Sequence, residues 1–183
     1  MSTGRSFIVR CSACRTKNRI PADKMGMTAR CGKCKAAVQT RDLMVGEPVI
    51  VTDASFEAQV LKSPLPVLLD CWEAWCQPCQ TVSPIVHEIA AQHKGRLKVG
   101  KLNTEQNPVT TNRYQILSLP TLLIFDGGQV KDALAGAFPK NIIMQKIIKL
   151  SMENTDTKIK CILTFITYLK KDDILDYVDI FIK

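Results

Sequence analysis

Four of the first 34 residues are cysteines in a fixed pattern: Cys11 and Cys14, then Cys31 and Cys34, two CxxC pairs sixteen residues apart. Two residues between cysteines let a tight turn aim both sulfurs at one point. Two such turns on facing hairpins complete a tetrahedron around Zn2+. Gly32 offers the backbone latitude such a knuckle needs. The segment has too few apolar residues to fold alone, so one bound zinc would supply much of its folding free energy. The alternatives are two local disulfides or free thiols. Reducing surroundings disfavour the first, and the second leaves the segment without a core. These four cysteines are therefore the expected zinc ligands.

The expectation of reducing surroundings rests on the rest of the chain. Between Arg5 and Arg10 lie only Phe7, Ile8 and Val9 as an apolar run, which is no signal-peptide core. No stretch approaches the roughly 20 apolar residues that span a bilayer. Eight cysteines in 183 residues then point to the cytoplasm, where such residues bind metal or do redox work.

The net charge of +8 sits mostly in the first 50 residues, which hold ten Lys/Arg and three Asp/Glu. Four thiolates around Zn2+ carry −2, so some of this excess balances the site and orients its thiolates. Phe7 is the only aromatic residue there, which leaves no stacking platform, and nucleic acid is not an expected partner.

A third pair, Cys76 and Cys79, falls in Trp75-Cys76-Gln77-Pro78-Cys79, where an apolar strand (Val67-Leu68-Leu69) gives way to a helical pattern (Val82, Ile85, Val86, Ile89, Ala90). A CxxC at a strand-to-helix junction is the redox dithiol signal. Cys76 would face the unsatisfied N–H groups and positive dipole end of the helix, which stabilise its thiolate. Cys79, almost one turn on, would lie on the same side and resolve the mixed disulfide. Pro78 costs no hydrogen bond in a first turn and stiffens it. The scheme requires the Cys76 sulfur to be reachable by an incoming chain.

Around this core the patterning predicts a helix capped by Asp53 and running to about Lys62, a strand at Leu97–Leu102, a short helix at Pro108–Tyr114, a strand at Thr121–Phe125 and a hairpin turn at Asp126-Gly127-Gly128. A strand from about Gln129 to Leu134 and a last amphipathic helix through Ile142, Ile143, Ile147, Ile148 and Leu150 follow. The order α-β-α-β-α-β-β-α implies an α/β fold with a mixed sheet flanked by helices. The expected boundaries are a zinc-ribbon module at 1–45, a linker at 46–52, an α/β domain at 53–150 and an atypical extension at 151–183. That extension holds none of the chain's nine Gly and nine Pro, and ten of the chain's Ile fall within 141–183 against seven in 1–140. The abrupt shift in usage favours a foreign or read-through C-terminus over a partner-binding or self-association helix pair.

The block DCWEAWCQPCQTVSP at 70–84 resembles the active-site block of thioredoxins, and the resemblance continues through VGKLNTEQNP at 99–108, LPTLLIF at 119–125 and AGA at 135–137. With the cysteine ribbon in front, the chain is similar to the bacterial zinc-ribbon thioredoxins over about residues 5–150. That resemblance implies a thioredoxin fold and a protein-disulfide reductase recycled by an NADPH-dependent thioredoxin reductase, with disulfide-containing proteins as clients and no bound organic cofactor.

It also implies residue roles. Asp70 would be the buried carboxylate that relays a proton to or from Cys79, where a solvent-facing strand-end Asp is the alternative. Lys101 would pair with it, or else be a solvated charge. Pro120 would be a cis proline facing the dithiol, with Leu119 presenting its backbone to substrate, and Gly136 would allow a close approach. Trp75 would shield the site, with a core Trp as the competing reading. Gln77 stands where these proteins usually carry Gly, Gln80 replaces a basic residue, and Cys71 stands in place of Phe as a small buried hydrophobe, with a regulatory thiol as the alternative. A zinc-dependent, redox-responsive holdase and a thiol oxidase or isomerase are the rival functions on the same fold.

Overall fold

A computed structural model describes residues 6–152. The chain divides into two compact units, Met1–Ile143 and Met144–Lys183. Of the second unit only the end of one helix lies within the described residues, so the expected extension, with the amphipathic stretches after Met152, falls outside them.

The first unit opens with two hairpins. Strand β1 (Ser6–Arg10) pairs with β2 (Lys17–Pro21), and β3 (Thr28–Arg30) with β4 (Ala37–Gln39). Phe7, Val9, Ile20 and Val38 are buried around Cys11 and Cys31 in a small core that also takes in Leu65. A five-stranded sheet follows in the order β5-β7-β6-β8-β9. Its members are β5 (Val49–Ile50), β6 (Val67–Trp72), β7 (Lys98–Asn103), β8 (Thr121–Asp126) and β9 (Gln129–Ala135). The first three run parallel, and β8 and β9 run antiparallel to their neighbours. Helices α1 (Gln77–Gln92), α2 (Pro108–Arg113) and α3 (Lys140–Met152) complete the set.

The mixed sheet is as expected, and three local readings are corrected. The segment after Asp53 is a short π-helical turn, Glu57–Leu61, with no side-chain cap. Asp53 instead accepts hydrogen bonds from the N–H groups of Val109 (3.0 Å) and Thr110 (2.8 Å), so it caps α2 across the fold. The stretch 46–52 contributes β5, an edge strand too short to leave a periodic signal. Gly32 does not take the left-handed conformation of the knuckles; Arg15 (φ 61°) and Lys35 (φ 63°) do, one residue after the second cysteine of each pair. The Gly127-Gly128 turn is as expected, with both φ values positive at 64° and 81°, as a two-residue hairpin with this twist requires.

Strand alternation sorts the core. Val67, Leu69 and Cys71 face a cluster with Phe56, Val60, Leu102, Leu123 and Phe125. There Phe56, Tyr114 and Phe125 meet with ring centroids 5.3 to 5.8 Å apart. Leu68, Asp70 and Trp72 face the other way.

Among the described residues the polar links from the ribbon to the sheet gather at one end. Arg10 grips Asp126 with two hydrogen bonds (3.0 and 2.6 Å), its own N–H donates to Pro64 O, and Arg15 donates to Leu61 O at 3.0 Å. Val67 pairs with Phe125 in the β6–β8 register, so Pro64 and Asp126 share the end of the sheet where β6 begins. The dithiol follows the other end of β6.

Candidate active site and metal centre

The two knuckles repeat each other. Cys11 N donates to Thr16 O and Arg15 N to Cys11 O, while Cys31 N donates to Ala36 O and Lys35 N to Cys31 O. All four sulfurs lie within 4.8 Å of one another, with Cys11–Cys34 and Cys14–Cys31 both at 3.6 Å. Tetrahedral Zn–S bonds of about 2.3 Å put sulfurs about 3.8 Å apart, so the donor set fits a soft tetrahedral ion. None of the four is in a disulfide. Backbone N–H groups of Cys34 and Lys33 pull the Cys31 thiol down to about 6, while the neighbouring sulfurs, Cys14 first, push the Cys34 thiol up to about 12, so the first proton leaves the cluster at Cys31.

The dithiol sits where the sequence puts it. Cys76 is the N-cap residue of α1, with extended backbone (φ −78°, ψ 100°), and Pro78 lies in the first turn. Cys76 and Cys79 are joined as a disulfide with Cα atoms 5.3 Å apart. The N–H of Cys79 donates to Cys76 Sγ at 3.2 Å. A donor N–H at the helix mouth is the arrangement that favours a thiolate at this position once the disulfide is reduced. Cys76 is more enclosed than expected, with 3% of its surface exposed and Cys79 4%. Trp75 beside it is 71% exposed, which rules out the core-Trp reading. Gln77, Pro78 and Gln80 are also exposed.

Behind the dithiol, Asp70 is 1% exposed, so the strand-end reading fails. Among the described residues neither carboxylate oxygen receives a hydrogen bond. Burial pushes its pKa up, and the Lys101 ammonium pulls back against that shift. Lys101 is Asp70's direct partner in the parallel β6–β7 register, which puts both side chains on one face. Its Nζ lies 3.3 Å from Asp70 Oδ2 and is itself mostly buried, with 13% of the side chain exposed. Cys71, the next residue, faces the opposite core. Burial drives its thiol pKa well up, which suits a packing residue.

The Leu119–Pro120 bond is cis. Thr121 pairs with Cys71 at the dithiol end of β6, so Pro120 lies at that end of the sheet. Gly136 (φ 115°) donates its N–H to Pro120 O at 2.8 Å, and an added Cβ there would meet only Phe138, at 3.8 Å. Leu119 is half-buried. The structure therefore brings Leu119, Pro120 and Gly136 together with the dithiol end of β6.

Two contacts carry no trace in the sequence reading. Thr104 donates to the Glu73 carboxylate, pinning the loop that leads to Cys76. Lys101 Nζ donates to Ser83 Oγ at 2.7 Å. The second had a readable signal: Ser83 stands four residues after Cys79 and four before His87, one stripe along a helix.

The thioredoxin family model matches residues 47–149, more than half of the chain. The chain belongs to the thioredoxin family. A second model, described as thioredoxin 2, N-terminal, matches residues 10–36, so this is a zinc-ribbon thioredoxin of the thioredoxin-2 type. Among its relatives, "Thioredoxin 1" of Nostoc sp. is 50% identical over 99 residues, covering 54% of this chain and 92% of that protein. "Thioredoxin 2" of Chlorobaculum tepidum is 42% identical over 104 residues, covering 57% and 95%. As a thioredoxin the chain is a thiol–disulfide oxidoreductase, with Cys76 and Cys79 at the active-site position. Among the described residues no helix is long and apolar enough to cross a membrane.

Proposed function

We propose that the chain is a cytoplasmic protein-disulfide reductase in which Cys76 is the nucleophile, Cys79 the resolving thiol and Asp70 the proton relay. The observation that carries the assignment is the Cys79 N–H on Cys76 Sγ at the start of α1. The Cys76 thiolate attacks one sulfur of a client disulfide, forming a Cys76–client disulfide and expelling a client thiolate. Cys79 gives its proton to the Asp70 carboxylate and attacks Cys76 Sγ, which releases the second client thiolate and leaves the Cys76–Cys79 disulfide. Two electrons pass to the client, and an NADPH-dependent thioredoxin reductase returns two.

A buried carboxylate with no hydrogen bond is a strong base when ionised, which supports Asp70 in this role. Lys101 holds part of that charge. Trp75 offers an exposed apolar face to the client. Leu119, cis Pro120 and Gly136 offer backbone for pairing with an extended client segment. Cys11, Cys14, Cys31 and Cys34 hold one structural Zn2+, whose part is to fold the ribbon.

Insulin reduction by dithiothreitol, followed as turbidity, tests the assignment. The chain accelerates it, Cys76→Ser does not, and Cys79→Ser accumulates the mixed disulfide. No acceleration by the parent, or full activity in Cys76→Ser, overturns the reading. A dithiol potential near or above roughly −180 mV would make it an oxidase or isomerase instead. Client protection that survives loss of both cysteines but not of zinc would make it a holdase.

A further inference from the structure

The Lys101 ammonium has two acceptors within reach, and the shorter bond goes to the Ser83 hydroxyl, not to the carboxylate. It donates to Ser83 Oγ at 2.7 Å, while Asp70 Oδ2 lies 3.3 Å away, within ion-pair range but outside good hydrogen-bond geometry. On its other side the ammonium lies 5.2 Å from the centroid of the Trp72 ring. Ser83 and Trp72 thus hold the cation beside the carboxylate but not on it.

We infer that Ser83 is a positioning residue: by tethering Lys101 it keeps Asp70 from being neutralised by a direct ion-pair hydrogen bond and so sets the pH at which Asp70 ionises. The inference rests on the relay role of Asp70 proposed above. The alignment matters because a charge-assisted hydrogen bond stabilises a carboxylate more than a cation lying nearby without one. The other groups around Asp70 are few. His87 from α1 acts on it through space, is exposed and pairs with Glu47 at 3.0 Å. Cys71 follows it on β6 and faces away. Across β8 its partner is Leu122, which carries no charge. Lys101 is therefore the cation whose position decides the matter, and Ser83 holds that position. A hydroxyl is the fitting tether, since it accepts from the ammonium without adding a competing charge.

The test is a carbon-13 NMR titration of the Asp70 carboxyl in the oxidised, zinc-loaded full chain. In Ser83→Ala the ammonium is free to turn onto Oδ2, and the midpoint falls by about one pH unit. Ser83→Thr keeps the acceptor and the parental midpoint. With Lys101→Met in place, adding Ser83→Ala moves nothing. An unmoved midpoint in Ser83→Ala overturns the inference. So does an equal fall in Ser83→Thr or in the Lys101→Met background. Alanine suits a helix interior, so loss of folding does not confound the test. A second readout is the pH profile of Cys79 attack on a trapped Cys76 mixed disulfide. If the carboxyl midpoint moves and this profile does not, the tether stands and the relay role of Asp70 fails.

Discussion

The grip of Arg10 on Asp126 is a bidentate ion pair between the ribbon and the sheet, and its worth can be worked out. An exposed ion pair contributes about 0–1 kcal/mol, because water screens it and two long side chains must be ordered. This pair is different on two counts. It is bidentate, at 3.0 and 2.6 Å, and the two side chains are only 19% and 16% exposed. A hydrogen bond to a charged group withdrawn from water is worth about 1.5–3 kcal/mol, so with the remaining solvent access a coupling of about 1–2 kcal/mol is expected. A double-mutant cycle with Arg10→Met and Asp126→Asn measures it, using urea unfolding of the zinc-loaded chain. Each single variant should unfold earlier, by about 2–8 °C if followed thermally. The Arg10 N–H to Pro64 O and the Arg15 bond to Leu61 O remain, so the ribbon stays in place. Insulin reduction should be unchanged, because the clamp lies at the opposite end of β6 from the dithiol. A coupling below about 0.3 kcal/mol, the usual scatter of independent sites, would refute the reasoning.

Other outcomes follow from single observations. Asp70 has its carboxyl pKa raised by burial. Between the unfolded and the raised folded value the native chain holds a proton that the unfolded chain has released, so stability falls as pH rises through that window. Asp70→Asn should remove this slope and stabilise the chain above it by about 1–3 kcal/mol, read from urea midpoints at several pH values; an unchanged slope counts against a buried carboxyl whose pKa is raised by burial. Gly128 has φ 81°, and an added Cβ would lie 2.7 Å from Leu61 O. Gly128→Ala should cost about 1–3 kcal/mol, while Gly127→Ala, with its nearest contact at 3.7 Å, should cost less; the reverse order in unfolding midpoints speaks against the turn geometry. Metal analysis of protein purified under reducing conditions should find one zinc per chain, and chelation should abolish the circular-dichroism signal of the two hairpins. Protein free of zinc with intact hairpins removes the metal assignment.

The parts of this fold that could be read from sequence are those whose cause is local. Two CxxC spacings specify two knuckles, a Gly-Gly pair specifies a two-residue hairpin, and a CxxC before a helical stripe specifies a dithiol at a helix mouth. What escaped depended on partners distant in the chain. Asp53 looks like the cap of the segment it precedes, yet its acceptors serve Val109 and Thr110, more than fifty residues on. Strand β5 is two residues long, and pairing with β7, not periodicity, makes it a strand. The knuckles take left-handed backbone at Arg15 and Lys35, residues with no propensity for it, because the hydrogen bonds around each cysteine pair impose it. Ser83 meets Lys101 only once the sheet register has put Lys101 under α1.

The one-ended seating of the ribbon has a practical side. Six residues of β6 separate it from the chemistry, about 20 Å of extended chain. A dye, a bead or a fused partner fastened to the basic hairpins would occupy the molecule's grip and leave its working edge clear.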